Sequence, residues 1–178
     1  MMLERFRQSI GLRYARFHFR REQEEMRPLT KFFTSARRLL LVLPFNDADA
    51  SYARNIVGEF AKVFGSRSIV LLASRSIHIP STVDSARVIF LGKEQRSLFF
   101  IPRRSTIEQL QQISFDVAVD LNQVLVLPVA FLLKALRVPY RVGFDNSGMR
   151  EFYNVFVRVS TTDPLQRYAL LLNQLLMF

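Results

Sequence analysis

Residues 115–154 spell out a strand, a helix, a second strand and a polar loop without interruption, and this order constrains the fold more than any other stretch. The run FDVAVDLNQ (115–123) leads into an apolar helix over 124–136, then VPYRVGFD (138–145) and EFYN (151–154). Strand, helix, strand in this spacing is a βαβ unit, whose strands lie parallel. The alternation extends on both sides. Apolar runs at 39–43, 68–73 and 86–91 read as strands, 98–101 as one more, and 51–64 and 105–113 as helices. Ser105, with Glu108 three positions on, reads as the cap of the 105–113 helix. A closing helix over 163–177 takes Asp163 as its N-cap and Pro164 at N1. The strands are continuously apolar, so each is expected to be buried on both faces. The fold class is α/β: a single Rossmann-like domain over 37–178, with a mostly parallel sheet flanked by helices.

A chain of 178 residues with 49% hydrophobic content can bury a sizeable core as one domain. With 0 Cys, thiol catalysis, disulfides and thiolate metal sites are excluded. The two histidines, His18 and His78, are isolated, so no metal is expected. The loop after the first strand, PFNDADA (44–50), has no glycine. A dinucleotide turn or a phosphate loop needs glycines for close backbone approach, so no nucleotide cofactor is expected. The start, MMLERFR, lacks the apolar core of a secretory signal, and no apolar run approaches the ~20 residues that span a bilayer. A cytoplasmic protein is expected, with the inner face of the cytoplasmic membrane as a place of peripheral attachment.

Charge is uneven along the chain. Residues 1–38 hold ten Arg and Lys against four Glu, or +6 of the total +10. This arm, residues 1–36, reads as helix to about residue 35, with Pro28 ending it or forcing a restart. Leu3, Phe6, Ile10, Tyr14 and Phe17 recur every three or four residues and share one face. Arg7, Arg13, Arg16, Arg20 and Arg21 occupy much of the remaining circumference. Gly11 inside such a helix costs about 1 kcal/mol relative to Ala. The apolar face either packs on the domain body or a partner chain, or lies on an anionic membrane with its arginines at the phosphates. A nucleic-acid partner is a third reading, opposed by the absence of any recognised nucleic-acid motif.

The wording of 115–154 resembles the acceptor-side domain of the ADP-heptose lipopolysaccharide heptosyltransferases, a two-domain GT-B glycosyltransferase family. The matching residues are Asp116, Asp120, Asn122, Gln123, Arg141, Gly143, Tyr153 and Asn154, and weaker matches extend across about residues 37–175. The resemblance aligns Ala48 and Asp49 with a Gly-Asp pair whose carboxylate is implicated as the base that activates the acceptor hydroxyl. It implies Asp49 as general base, and Asn122, Gln123, Arg141, Asn146 and Arg150 as holders of acceptor sugars and their phosphates. Each position has a plain structural role as well. Asp47 or Asp49 can N-cap the following helix, Asp116 and Asp120 can bind backbone amides, Gly143 can serve a turn with positive φ, and Tyr153 can be core with a bonded hydroxyl.

In that family the second domain binds the nucleotide-sugar donor, and transfer occurs between the domains. A chain of 178 residues accommodates only the acceptor half, and positioning effects worth about 7–11 kcal/mol of barrier require both. The expectation is a heptosyltransferase-like domain that is non-catalytic on its own, a pseudoenzyme acting as a binding or assembly module at a membrane or in a complex. A split glycosyltransferase, with the donor half on another polypeptide, is the alternative. Apolar surface facing the missing half would normally be covered, so a protein partner or homo-oligomer is expected.

Overall fold

The computed structural model describes residues 2–22, 24–25, 27–65, 68–75, 86–146 and 148–178; His78 lies outside them. Six strands, β1 (Leu39–Val42), β2 (Ile69–Ala73), β3 (Arg87–Phe90), β4 (Val117–Asp120), β5 (Tyr140–Phe144) and β6 (Val155–Val157), form one sheet in the order β3-β2-β1-β4-β5-β6. All five pairings are parallel. The helices are α1 (Met2–Phe19), α2 (Asp47–Phe64), α3 (Arg104–Gln111), α4 (Leu127–Ala135) and α5 (Pro164–Leu175). This is the Rossmann-like α/β architecture that the apolar strands imply.

Side chains alternate across a strand, so a continuously apolar strand feeds two cores. Leu39, Leu41 and Leu43 join Phe60, Tyr168 and Leu171 on the α2 and α5 side. Leu40 and Val42 join Ala15, Phe131 and Leu133 on the α1 and α4 side. Both layers depend on the first 36 residues, since Phe32 and Phe33 enter the first core and Ala15 and Phe19 the second.

Several local expectations are corrected. The arm helix stops at Phe19 rather than near residue 35. Beyond it the chain leaves the helix, Glu24 reaches Arg141, and a turn over 30–35 inserts Phe32 and Phe33 into the core. Residues 98–101 are a turn, not a strand: Phe100 has φ 64°, and Ser97 closes the loop by donating its N–H to the Ile101 carbonyl at 2.8 Å. α3 begins at Arg104, so Ser105 lies inside it and no side chain caps it. α2 begins at Asp47, and its N-cap is Asn46, whose side chain accepts from the Asp49 N–H at 2.8 Å; neither aspartate is the cap. Asp163 caps α5 as expected. β6 was not foreseen, because three residues with an exposed Phe156 carry little strand signal. Gly143 does not have positive φ. Its hydrogen leaves room for the Tyr153 ring, whose Cδ1 would stand 3.0 Å from an added Cβ.

Candidate functional site

In an open parallel sheet, ligands bind beyond the C-terminal strand ends near the point where strand order reverses. Here that point lies between β1 and β4, and the loops after β1, β4 and β5 place polar side chains beside it. A cleft of about 240 Å³ is lined by Gln123, Asp145, Asn146, Arg158 and Arg167, with Phe144, Val157 and Val159 as its apolar floor.

A relay of hydrogen bonds runs along its wall. Arg167 Nη1 donates to Gln123 Oε1, and its Nη2 donates to the Thr161 carbonyl at 2.9 Å. Gln123 Nε2 donates in turn to Asp49 Oδ1 at 3.3 Å. Asn46 Nδ2 donates to Asp49 Oδ2 at 2.6 Å, so both carboxylate oxygens are engaged. Asn146 Nδ2 donates to the Gln123 carbonyl at 3.4 Å and ties the β5 loop to the β4 loop. At the rim, Asp145 accepts from Arg158 at 2.8 Å and from Arg150 at 3.2 Å, and these guanidiniums hold its carboxyl below the usual range. The arrangement can accept and donate hydrogen bonds to a polyhydroxylated or anionic group. A carboxylate already held by two amides has spare lone pairs for a further hydroxyl.

Of the predicted residues, Gln123 and Asn146 line the cleft, while Asp49 joins it through Gln123 and Arg150 through Asp145. The cleft does not include Asn122 or Arg141. Asn122 is buried and saturated: its Oδ1 accepts from the Phe45 N–H at 2.8 Å, and its Nδ2 donates to Asp120 Oδ1 at 2.6 Å and to the Leu43 carbonyl at 3.4 Å. Arg141 lies near the start of β5 and points to the other end of the sheet, where its Nε donates to the Phe152 carbonyl at 2.8 Å. Arg158, Asp145 and Arg167 were not foreseen. Arg167 carried a signal, since a cation in the first turn of a helix opposes the helix dipole and so implies another partner.

Beneath the cleft, Asp120 is fully buried and accepts from the Tyr153 hydroxyl, from the Asn122 N–H at 2.9 Å and from Asn122 Nδ2. Burial pushes its carboxyl up to about 6 from 3.8, against the pull of Tyr153 and Asn122. Burial, with Asp120 beside it, pushes the Tyr153 hydroxyl up as well. A carboxyl that binds its proton more tightly when folded contributes stability that is complete below its unfolded pKa and lost as pH rises through the folded one. Wild type should therefore lose up to about 3 kcal/mol of stability relative to Asp120→Asn between pH 4 and 7. Urea unfolding midpoints of the two proteins across that range give the difference directly. Asp116, as the plain reading holds, accepts from the Arg37 and Arg38 N–H groups at 2.8 and 2.9 Å.

The second candidate surface is α1. Its buried side is Gly11, Ala15 and Phe19, not the aromatic face. Leu3, Phe6, Ile10, Tyr14 and Phe17 are all between 36% and 63% exposed. At 100° per residue, Phe6 to Tyr14 span an arc of roughly 80°, and Arg13 and Arg7 adjoin its two edges. Arg13, Arg16, Arg20 and Arg21 are exposed too. Arg20 sits 4.0 Å above the Phe17 ring, Arg16 pairs with Glu151 at 2.7 Å, and Tyr14 stacks on Phe131. Glu4, the sole acid of α1, lies off the apolar arc. No described helix is long and apolar enough to cross a membrane, and no group of metal-binding side chains occurs among the described residues.

No family model and no curated protein matches the sequence. Two solved structures resemble the fold. One is the glycosyl transferase family 9 protein from Veillonella parvula, with TM-score 0.59, 14% identity, and cover of 80% of this chain and 42% of that one. The other is E. coli heptosyltransferase WaaC with ADP, with TM-score 0.59, 18% identity, and cover of 79% and 47%. The chain therefore shares its fold with part of each of these two structures and spans less than half the length of either.

Proposed function

We propose that this chain is a glycosyltransferase-like binding module that attaches peripherally to an anionic membrane surface through α1. The observation that carries the reading is the exposed apolar arc of α1, flanked by arginines and free of acids. A helix of this build lies in the plane of a membrane interface, with its apolar side chains among the acyl chains and its cations at the headgroups. Each Lys or Arg near an anionic surface is worth about 1 kcal/mol, and each buried Phe about 1.5–3 kcal/mol. The body takes Gly11, Ala15 and Phe19 and meets the arc only at its edge, where Tyr14 stacks on Phe131, so Leu3, Phe6 and Phe17 remain open.

In this reading the Rossmann-like body offers the cleft at Gln123, Asn146 and Arg167, with Asp49 bonded behind Gln123, as a surface for a polar, hydroxyl-bearing group. Transfer by this chain alone is not part of it. Co-sedimentation with vesicles tests the attachment. Binding is expected to phosphatidylglycerol vesicles, weakening as salt screens the arginines, with little binding to phosphatidylcholine. Equal binding to both, or to neither, would rule the reading out.

A further inference from the structure

At the end of the sheet opposite the cleft, two cationic side chains are buried around a single carboxylate. Arg141 is 4% exposed and Lys134 8%. Arg141 spends Nε on the Phe152 carbonyl and Nη1 on the Val138 carbonyl at 2.7 Å, which leaves Nη2 to donate to Glu24 Oε1. Lys134 Nζ donates to the Glu151 carbonyl at 2.7 Å and stands 3.5 Å from the same Glu24 oxygen. Asn154 is fixed by the Arg141 N–H, which donates to its Oδ1 at 2.8 Å, and its Nδ2 lies 3.5 Å from Glu24 Oε2. Donors from α4, from β5 and from the turn before β6 thus converge on one carboxylate, which belongs to the segment between α1 and β1.

The receptor is more heavily built than its occupant. Its donors are held in place by backbone carbonyls, whereas the Glu24 side chain is 44% exposed at the mouth of a hollow of about 290 Å³. Charge does not balance there either. Two buried cations face the Glu24 carboxylate, Arg137 and Glu22 add one charge of each sign to the lining, and Glu25 is already paired with Arg27 at 2.6 Å, which leaves one positive charge in excess. Buried charge is stable only when paired, and a phosphate group carrying close to two negative charges matches Arg141 and Lys134 better than a carboxylate does. Burial works against ionising Glu24, yet Arg141 and Lys134 hold its carboxyl below the usual range.

We infer that Arg141, Lys134 and Asn154 form a socket for a small phosphate-type oxyanion, and that Glu24 is its tethered occupant. Phosphate and the Glu24 carboxylate compete for the same three donors, so each excludes the other. The socket is separate from the cleft and independent of whether α1 meets a membrane.

The test compares thermal unfolding in sodium phosphate and in sodium chloride of matched ionic strength for wild type, Glu24→Ala and Glu24→Gln. In chloride, Glu24→Ala is expected to melt below wild type, because two buried cations lose their counter-charge. Phosphate is expected to raise the midpoint of both variants by several degrees, and that of wild type by less than half as much. Glu24→Gln keeps the side-chain shape without the charge, so it carries the test if Glu24→Ala fails to fold. Adding Lys134→Met to Glu24→Gln should remove the phosphate gain. If neither variant gains more from phosphate than wild type does, or if the gain survives Lys134→Met, the socket is not a phosphate site.

Discussion

A Phe6→Asp/Phe17→Asp double variant is expected to bind phosphatidylglycerol vesicles at least about 100-fold more weakly than wild type, while its fold is unchanged. Both rings are more than 60% exposed, so their removal leaves no cavity, and a stability cost near zero is expected for such surface changes. On a membrane the same rings would each contribute about 1.5–3 kcal/mol, and a combined loss of about 3 kcal/mol or more is a factor of about 100 or more in affinity. The two aspartates add repulsion from the anionic surface. Vesicle titrations read the affinity and circular dichroism reads the fold. An unchanged affinity would show that the apolar arc of α1 does not meet the bilayer.

Gly11→Ala should destabilise the protein even though alanine is the better helix former by about 1 kcal/mol. A Cβ at Gly11 would lie 1.9 Å from the Phe99 carbonyl oxygen and 3.0 Å from Leu127 Cδ2. The first of these is backbone, in a turn fixed by Ser97 and by the positive φ of Phe100. The helix must therefore shift outward, and overpacking of this kind costs about 1–3 kcal/mol. For a chain of this size each net kcal/mol lowers the melting temperature by about 2–4 °C. Gly58→Ala in α2 is the control, because nothing lies within 4 Å of its added Cβ; there the propensity gain should appear as a small rise. Hydrogen exchange should show protection of α1 falling first in Gly11→Ala. Equal melting temperatures for Gly11→Ala and Gly58→Ala would mean that α1 does not seat on the 97–100 turn.

The parallel sheet and its helices were legible because an element buried on both sides must be apolar throughout, and Leu39, Leu40, Leu41 and Val42 say so directly. The cleft was legible only in part. Asp49 and Gln123, singled out by the resemblance, stand just beyond the ends of β1 and β4, and they do meet. Arg141 was assigned by the resemblance alone; it stands near the start of β5, away from the C-terminal loops, and its side chain turns to the Phe152 and Val138 carbonyls. Asn122 was misread for a different reason. Its neighbour Asp120 is a buried carboxylate that needs donors, and an amide two residues on is the nearest supply. On α1 the aromatic periodicity was plain, but the choice of buried face was set by Gly11 and Ala15, whose small size permits close approach and leaves no hydrophobic signature in the sequence.

The chain contains 0 Trp, so Phe6→Trp places a single reporter on the exposed arc of α1 at a position 63% exposed. With phosphatidylglycerol vesicles its emission should shift to the blue and become quenchable by brominated acyl chains, and with phosphatidylcholine it should stay close to that in buffer. Emission that remains that of a water-exposed indole in both would contradict membrane attachment through α1.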